Sequence, residues 1–227
     1  MRFMGGKSKI ANEIAPIILR DNPDLIIEPF CGALNVTVAL VKLKPSLQVL
    51  ASDSHKDLID LWVAVQNGWE PPSHISKEQY LELKQSPSSP LRTFVGYGCS
   101  FSGRWWEGYA SDSLGRNYCG NAQRSIEKMR PFLLGVEFSH QSYDEVIIQG
   151  TVYCDPPYQS TKAPGEKKPF DSLAFWAWVK KQSFPVFVSE YESELECIWQ
   201  KNVRTDMHTS KGQAPRIERL FFHPSRT

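Results

Sequence analysis

Residues 146–158 run from a β-prone apolar stretch into Tyr153-Cys154-Asp155-Pro156-Pro157-Tyr158, and two consecutive prolines restrict what can follow a strand. Neither proline has an N–H, and each fixes φ near about −65°, so neither a sheet ladder nor a helix continues through them. A strand over 146–153 is therefore expected to end in a stiff, exposed lip, Asp155–Tyr158. That lip offers one carboxylate, carbonyls outside any ladder, and one ring. Open α/β sheets bind ligands at the carboxyl ends of their strands. The plainer reading of the same residues is a strand-ending turn, because Asp and Pro are common in turns.

The rest of the chain says what kind of sheet carries this lip. Ser8 is placed to cap a helix over 9–20, with Ile10, Ile14, Ile17 and Ile18 on one stripe and Pro16 as a kink or stop. Leu25-Ile26-Ile27 reads as a short buried strand closed by Glu28-Pro29, and Phe30–Asn35 as a tight turn into a helix that runs to Leu43. A second strand over 47–51 stops at Ser52-Asp53, and a helix covers about 55–66. Strand–helix alternation with short loops predicts a Rossmann-like, doubly wound, mostly parallel α/β sheet.

Residues 68–120 break that alternation. They are rich in Gly, Ser, Trp, Tyr and Arg, and predict an inserted, mainly helical and loop subdomain with one short helix at 77–84. The catalytic core then comprises 1–67 and 121–227. In its second part the sequence predicts a helix at 121–134, the strand at 146–153, a helix at 171–182, a strand at 185–189, a helix at 192–200 and a last strand near 217–222.

Composition limits the partners. With 26 basic and 25 acidic residues the net charge is +1, so contact with nucleic acid requires a local basic face. The five cysteines lie far apart and none forms a Cys-x-x-Cys pair, which predicts free thiols in a reducing compartment. The five histidines do not fall at ligand spacing around them, so no metal site is expected. No apolar run of membrane-spanning length occurs and MRFMGGKSKI does not read as a signal peptide, so a cytoplasmic protein without membrane contact is expected.

Five constellations carry chemistry. Asp155, Pro156, Pro157 and Tyr158 suit a planar base held by its exocyclic amine: the Asp155 carboxylate and Pro156 carbonyl accept two N–H bonds while Tyr158 stacks. The turn Glu28–Ala33 follows a strand, and Gly32 lets a ligand approach the backbone closely; a plain strand-to-helix turn would look similar. Asp53 ends the next strand, where an acid accepts hydrogen bonds from a ribose diol or caps the following helix. Gly5-Gly6-Lys7 lacks the spacing of a triphosphate loop, so Lys7 is expected to meet a carboxylate, either a ligand's or Asp155. In the insertion Arg92, Arg104, Arg116 and Arg124 interleave with Phe94, Tyr97, Phe101, Trp105, Trp106, Tyr109 and Tyr118, which predicts either a DNA-contacting face or a small aromatic core.

The order of these pieces is Gly-Gly-Lys, Glu-Pro-Phe-x-Gly, Asp, an insertion, then Asp-Pro-Pro-Tyr. In that order the chain resembles the Dam-like, alpha-group DNA adenine N6-methyltransferases over nearly its whole length. Phe94–Phe101 and Phe175-Trp176-Ala177-Trp178 look most like phage and prophage members. The resemblance implies S-adenosylmethionine as cofactor and transfer of its methyl group to adenine N6 in double-stranded DNA, with the base turned out of the stack. It implies catalytic roles for Asp155, Pro156, Pro157 and Tyr158. It implies cofactor contacts from Phe3, Gly6, Lys7, Glu28, Phe30, Gly32, Asp53, Ser142, Tyr143 and Asp155. DNA contacts are expected from Arg92, Arg104, Arg116, Asn117, Tyr118 and Arg124. Two positions depart from the pattern: Ala33 replaces a second glycine, and Ser142 stands where an acid commonly precedes the aromatic. Ser189-Glu190-Tyr191 matches a further pocket-wall motif. A monomer is expected, with a cognate restriction nuclease as a candidate partner. A methyltransferase for cytosine N4, RNA adenine or protein glutamine, and a catalytically silent DNA-binding protein of the same fold, are the alternatives; Asp rather than Asn or Ser at 155 favours adenine.

Overall fold

A computed structural model describes residues 3, 5–158, 170–203 and 216–225, so Met1, Arg2 and Met4 of the N-terminal loop lie outside the described residues. Among the described residues seven strands form one sheet: β1 (Leu25–Glu28), β2 (Gln48–Asp53), β3 (Val136–His140), β4 (Thr151–Cys154), β5 (Val186–Glu190), β6 (Glu196–Val203) and β7 (Arg216–His223). Their order is β3-β2-β1-β4-β5-β7-β6. The β1–β2, β1–β4, β2–β3 and β4–β5 pairings are parallel, whereas β7 runs antiparallel to both β5 and β6. The mostly parallel, doubly wound α/β expectation is thereby met. The strand order reverses between β1 and β4, which opens a crevice at their carboxyl ends.

The central strands are short and apolar because both of their faces are covered. Successive residues of β4 and β5 feed two different clusters. Tyr153 and Phe187 enter the larger core, while Val152, Cys154, Val186 and Val188 pack with Phe175 and Val179 of helix α7 (Ser172–Val179). This follows from the two-residue period of a strand. The larger core also takes side chains from α1 (Ala11–Ile18), α2 (Asn35–Leu43) and α3 (Lys56–Gln66).

Residues 68–120 contain α4 (Lys77–Gln85), α5 (Pro90–Gly98) and a short 3-10 turn, Phe101–Gly103. Ser76 and Gln79 form a reciprocal capping box at the start of α4, which explains why that helix was legible. α5 was not expected; Ser89 caps it and Pro90 opens it. The rings of Tyr80, Phe94, Tyr97 and Trp106 are buried in the same core as α1–α3. The segment's aromatic residues therefore join the main hydrophobic interior.

Several boundaries depart from the sequence reading. Ser8 does not cap α1; the Lys7 carbonyl accepts the N–H groups of Ile10 and Ala11, and Ile10 is the N-cap. Pro16 sits inside α1 on its exposed side and does not end it. The expected 121–134 helix is α6 (Tyr118–Met129), capped by Asn117, followed by a 3-10 turn at Arg130–Phe132. Within the expected strand 146–153 only Thr151–Cys154 is β4, because pairing with β1 starts at Ile26↔Thr151; Ile147 is 79 % exposed. β3 was not expected. The expected helix at 192–200 does not form: residues 192–195 are irregular and 196–200 begin the edge strand β6, with a pairing irregularity at Cys197/Trp199. Among the described residues no helix is long and apolar enough to cross a membrane. All five cysteines are free.

Candidate active site

The carboxyl ends of β1, β2, β4 and β5 border a cleft of about 850 Å³. Phe3, Gly6, Lys7, Glu28, Phe30, Gly32, Asp53, Ser142, Tyr143, Asp155, Pro156, Pro157 and Tyr158 all line it, although they come from five separate stretches of sequence. Parallel strands bring them together: Glu28 ends β1, Asp53 ends β2, and Asp155 follows β4 directly.

The turn after β1 is held by both of its neighbours in the fold. Gly32 has φ +44°, and a Cβ there would lie 3.3 Å from Cε1 of Phe3. The Gly32 N–H donates to Asp53 Oδ2 at 3.0 Å, and its carbonyl accepts from Trp62 Nε1 at 2.8 Å. Asp53 Oδ1 accepts the His55 N–H at 2.9 Å. Asp53 thus holds the β1 turn and the start of α3 at once, and each oxygen keeps a lone pair for a further donor. Ala33, the departure from the glycine pattern, is buried beside Gly32 and lines the cleft as well. Ser142 lines it with Tyr143, while its own N–H donates to Glu145 Oε2 at 2.8 Å.

Three acids gather here. Glu28 is 2 % exposed, and its carboxyl takes a hydrogen bond from the Thr37 hydroxyl. Burial pushes Glu28 up to about 8, against the lowering effect of Thr37, with Asp155 and Asp53 adding repulsion. Burial also raises Asp53, against the hydrogen bonds from His55 and Gly32. Asp155 is pushed up to about 6 by burial, against the attraction of Lys7. Lys7 Nζ lies 2.6 Å from Asp155 Oδ1, donates to the Gly5 carbonyl at 3.0 Å, and sits 4.7 Å from the centroid of the Tyr158 ring.

Aromatic walls complete the cleft. Phe30 stacks on Tyr143 at 5.4 Å between centroids, with Phe170 and Phe175 edge-on to Phe30. On the insertion side Phe3, Tyr97 and Trp105 form a continuous series, 4.7 Å and 4.6 Å apart. Tyr158 meets Tyr191 edge-on at 4.3 Å, and its hydroxyl donates to Glu218 Oε2 at 2.9 Å. Tyr97, Tyr191, Arg216 and Glu218 also line the cleft. Of these, Tyr191 was read as pocket wall, whereas the sequence reading missed Glu218. The available signal was one acid at an alternate position of an otherwise apolar strand end, Leu220-Phe221-Phe222.

The six residues expected to touch DNA are not assembled in one place. Arg104 lines the cleft and pairs with Glu107 at 3.1 Å. Phe101, three residues before it, is 60 % exposed. Arg92 is turned inward: it pairs with Asp57 at 3.4 Å, and its guanidinium lies 5.5 Å and 5.4 Å from the rings of Trp105 and Trp106. Arg116, Asn117 and Tyr118 line a second, smaller cavity of about 270 Å³, where Arg116 and Tyr118 both engage Asp112. Arg124 is on α6 and donates to Asn121.

No curated protein matches this chain. Residues 3–90, which supply the Phe3–Lys7 loop, the Glu28–Gly32 turn, Asp53 and the first insertion helix, match the family model described as D12 class N6 adenine-specific DNA methyltransferase. That match to the N-terminal part of the chain, on a class I methyltransferase sheet whose cleft holds Asp-Pro-Pro-Tyr, makes the chain similar to the Dam-like adenine methyltransferases.

Proposed function

We propose that this chain transfers a methyl group from S-adenosylmethionine to the N6 amine of adenine in double-stranded DNA, at a specific site and with the adenine turned out of the helix. The observation that carries the proposal is the position of Asp155: its carboxylate sits in the cleft beside Pro156, with Tyr158 next to it and Lys7 on its Oδ1.

The cleft's chemistry fits the cofactor. Glu28, Asp53 and Asp155 gather in one cleft in which burial disfavours their ionised forms, so a ligand carrying positive charge favours those forms. Gly32 lets the Phe3 ring pack directly against the turn's backbone, and both line the cleft. Phe3, Gly6, Lys7, Glu28, Phe30 and Gly32 would hold its amino-acid end, Asp53 its ribose diol, and Ser142 and Tyr143 its adenine. When bound, S-adenosylmethionine supplies an electrophilic methyl group on a sulfonium.

The remaining chemistry belongs to the chain. The lone pair of adenine N6 is delocalised into its ring, so the amine is a weak nucleophile. Asp155 and the Pro156 carbonyl accept hydrogen bonds from its two N–H groups and draw them out of the ring plane, which localises the pair. The new N–C bond replaces the methyl–sulfur bond, leaving a neutral thioether, and one N–H proton is released to solvent. Pro157 fixes the backbone between these acceptors and Tyr158. Tyr158 lies against the base, so catalysis consists of positioning and electrostatics. The Lys7 ammonium stands where the incoming amine must reach Asp155, and it shifts aside when the base enters. Asp155 is only 20 % exposed, so a base paired within a duplex cannot reach it; the adenine has to leave the stack. Arg104 lines the cleft, where it meets the DNA backbone, and the exposed Phe101 is close to it in sequence. Action on DNA places the enzyme in the cytoplasm of a bacterial or phage-infected cell.

The test is incubation of the purified protein with duplex DNA and S-adenosylmethionine, followed by mass analysis of the nucleosides. N6-methyladenine is expected. N4-methylcytosine would move the reading to the cytosine alternative, and unmodified DNA in the presence of bound cofactor would refute it.

A further inference from the structure

β7 carries a functional side chain that the Asp-Pro-Pro-Tyr motif does not contain. Glu218 Oε2 accepts the Tyr158 hydroxyl at 2.9 Å, across 60 residues of sequence. β7 is held firmly beside β5 by a ladder that runs from Val186↔His223 to Glu190↔Arg219. Residues 216 and 218 share one face of β7, and both line the cleft. Tyr191, directly after β5, is fixed at both ends: Arg219 donates to its carbonyl and Arg216 to its hydroxyl. The edge of Tyr191 then meets the Tyr158 ring at 4.3 Å. Tyr158 is thus tied at its hydroxyl by one rigid strand and at its ring by a residue tied to the same strand.

We infer that Glu218 is a positioning residue for the methyl-transfer reaction, setting the plane of the Tyr158 ring so that an amine-bearing planar nucleobase lies in line with Asp155 and the Pro156 carbonyl. This inference rests on the functional reading above. A ring anchored only at Cβ samples orientations about χ1 and χ2; an acceptor at the far end removes that freedom. Small misplacements of a stacking partner are felt mainly in turnover, because the reacting geometry is lost while the base still enters the cleft.

Glu218→Ala is expected to lower kcat by about 10- to 100-fold with KM for DNA changed far less. Tyr158→Phe should produce a similar loss, and the double variant should be no worse than either single one, since both remove the same bond. Glu218→Gln keeps an oxygen acceptor and should recover most of the lost turnover. A second readout does not depend on activity. The Tyr158 hydroxyl proton, assigned by its loss in Tyr158→Phe, should be visible by NMR in the wild type and in Glu218→Gln, and absent in Glu218→Ala. A folded Glu218→Ala protein that keeps wild-type kcat or the hydroxyl signal overturns the inference. Additive losses in the double variant overturn it too. Wild-type protein that methylates no adenine while keeping the signal would refute the functional reading and leave only the anchoring bond.

Discussion

Lys7 Nζ rests 2.6 Å from Asp155 Oδ1, so a loop near the N-terminus and the Asp-Pro-Pro-Tyr motif meet as an ion pair inside the cleft. Burial raises the Asp155 carboxyl to about 6 and Lys7 is the group pulling it down. Removing Lys7 lets it climb further. The proposed reaction uses Asp155 as a carboxylate, so its rate is expected to fall as pH drops through that range. Lys7→Met should shift the acidic limb of the pH–rate profile to higher pH and increase the ratio of the rate at pH 8.5 to that at pH 6. An unmoved limb would show that Lys7 does not govern Asp155.

Glu28 gives a stability test. Its carboxyl titrates near 8 in the fold and near 4.5 otherwise. Between those values the unfolded chain is ionised and the folded one holds its proton. The folded state is therefore favoured below the unfolded value and loses that advantage as pH rises to 8, by an amount on the order of a few kcal/mol. Glu28→Gln keeps the Thr37 hydrogen bond and removes the ionisation. Without cofactor, its unfolding free energy should exceed that of the wild type at pH 8.5, and the gap should close by pH 4.5. Denaturant titrations across this range check the point.

The arginines of the insertion should separate into two behaviours. Arg104 lines the cleft, so Arg104→Ala should weaken DNA binding and make the slope of log Kobs against log salt less negative by about 1. Arg92 is engaged with Asp57 and the two indoles, so Arg92→Ala should instead cost about 1–2 kcal/mol of stability with little change in that slope. Filter binding at several salt concentrations, alongside thermal melts, distinguishes the two.

Gly96 in α5 leaves room for Trp105 and Trp106. A Cβ there would stand 2.6 Å from Trp105 Cζ3 and 2.7 Å from Trp106 Nε1. Gly96→Ala should destabilise the protein by about 1–3 kcal/mol despite alanine's better helix propensity. Because Trp105 continues the series through Tyr97 to Phe3, cofactor affinity should fall as well. Chemical denaturation and a cofactor titration measure both effects.

Sequence revealed the site better than the sheet that carries it. Asp155–Tyr158, Glu28–Gly32 and Asp53 were legible because each interrupts an apolar strand with residues a strand does not need. Lys7 was readable as a carboxylate partner because its glycine loop lacks phosphate-loop spacing. β6 was not readable: Glu192, Glu194 and Leu195 favour a helix locally, and only pairing with β7 makes 196–203 extended. β3 hides for a similar reason, being an edge strand of alternating polarity beside β2. Residues 146–150 misled in the opposite direction, since β-branched side chains alone do not supply a partner strand. Glu218 was invisible because its importance lies in a bond to a tyrosine 60 positions away. Arg92 looked like a DNA contact until its ring partners were seen.

The most direct test of the central claim is methyl incorporation into duplex DNA by Asp155→Ala, with fold and cofactor binding verified by melting and titration. The account expects a folded, cofactor-binding protein whose transfer rate is at background. A rate within a few-fold of the wild type would contradict it.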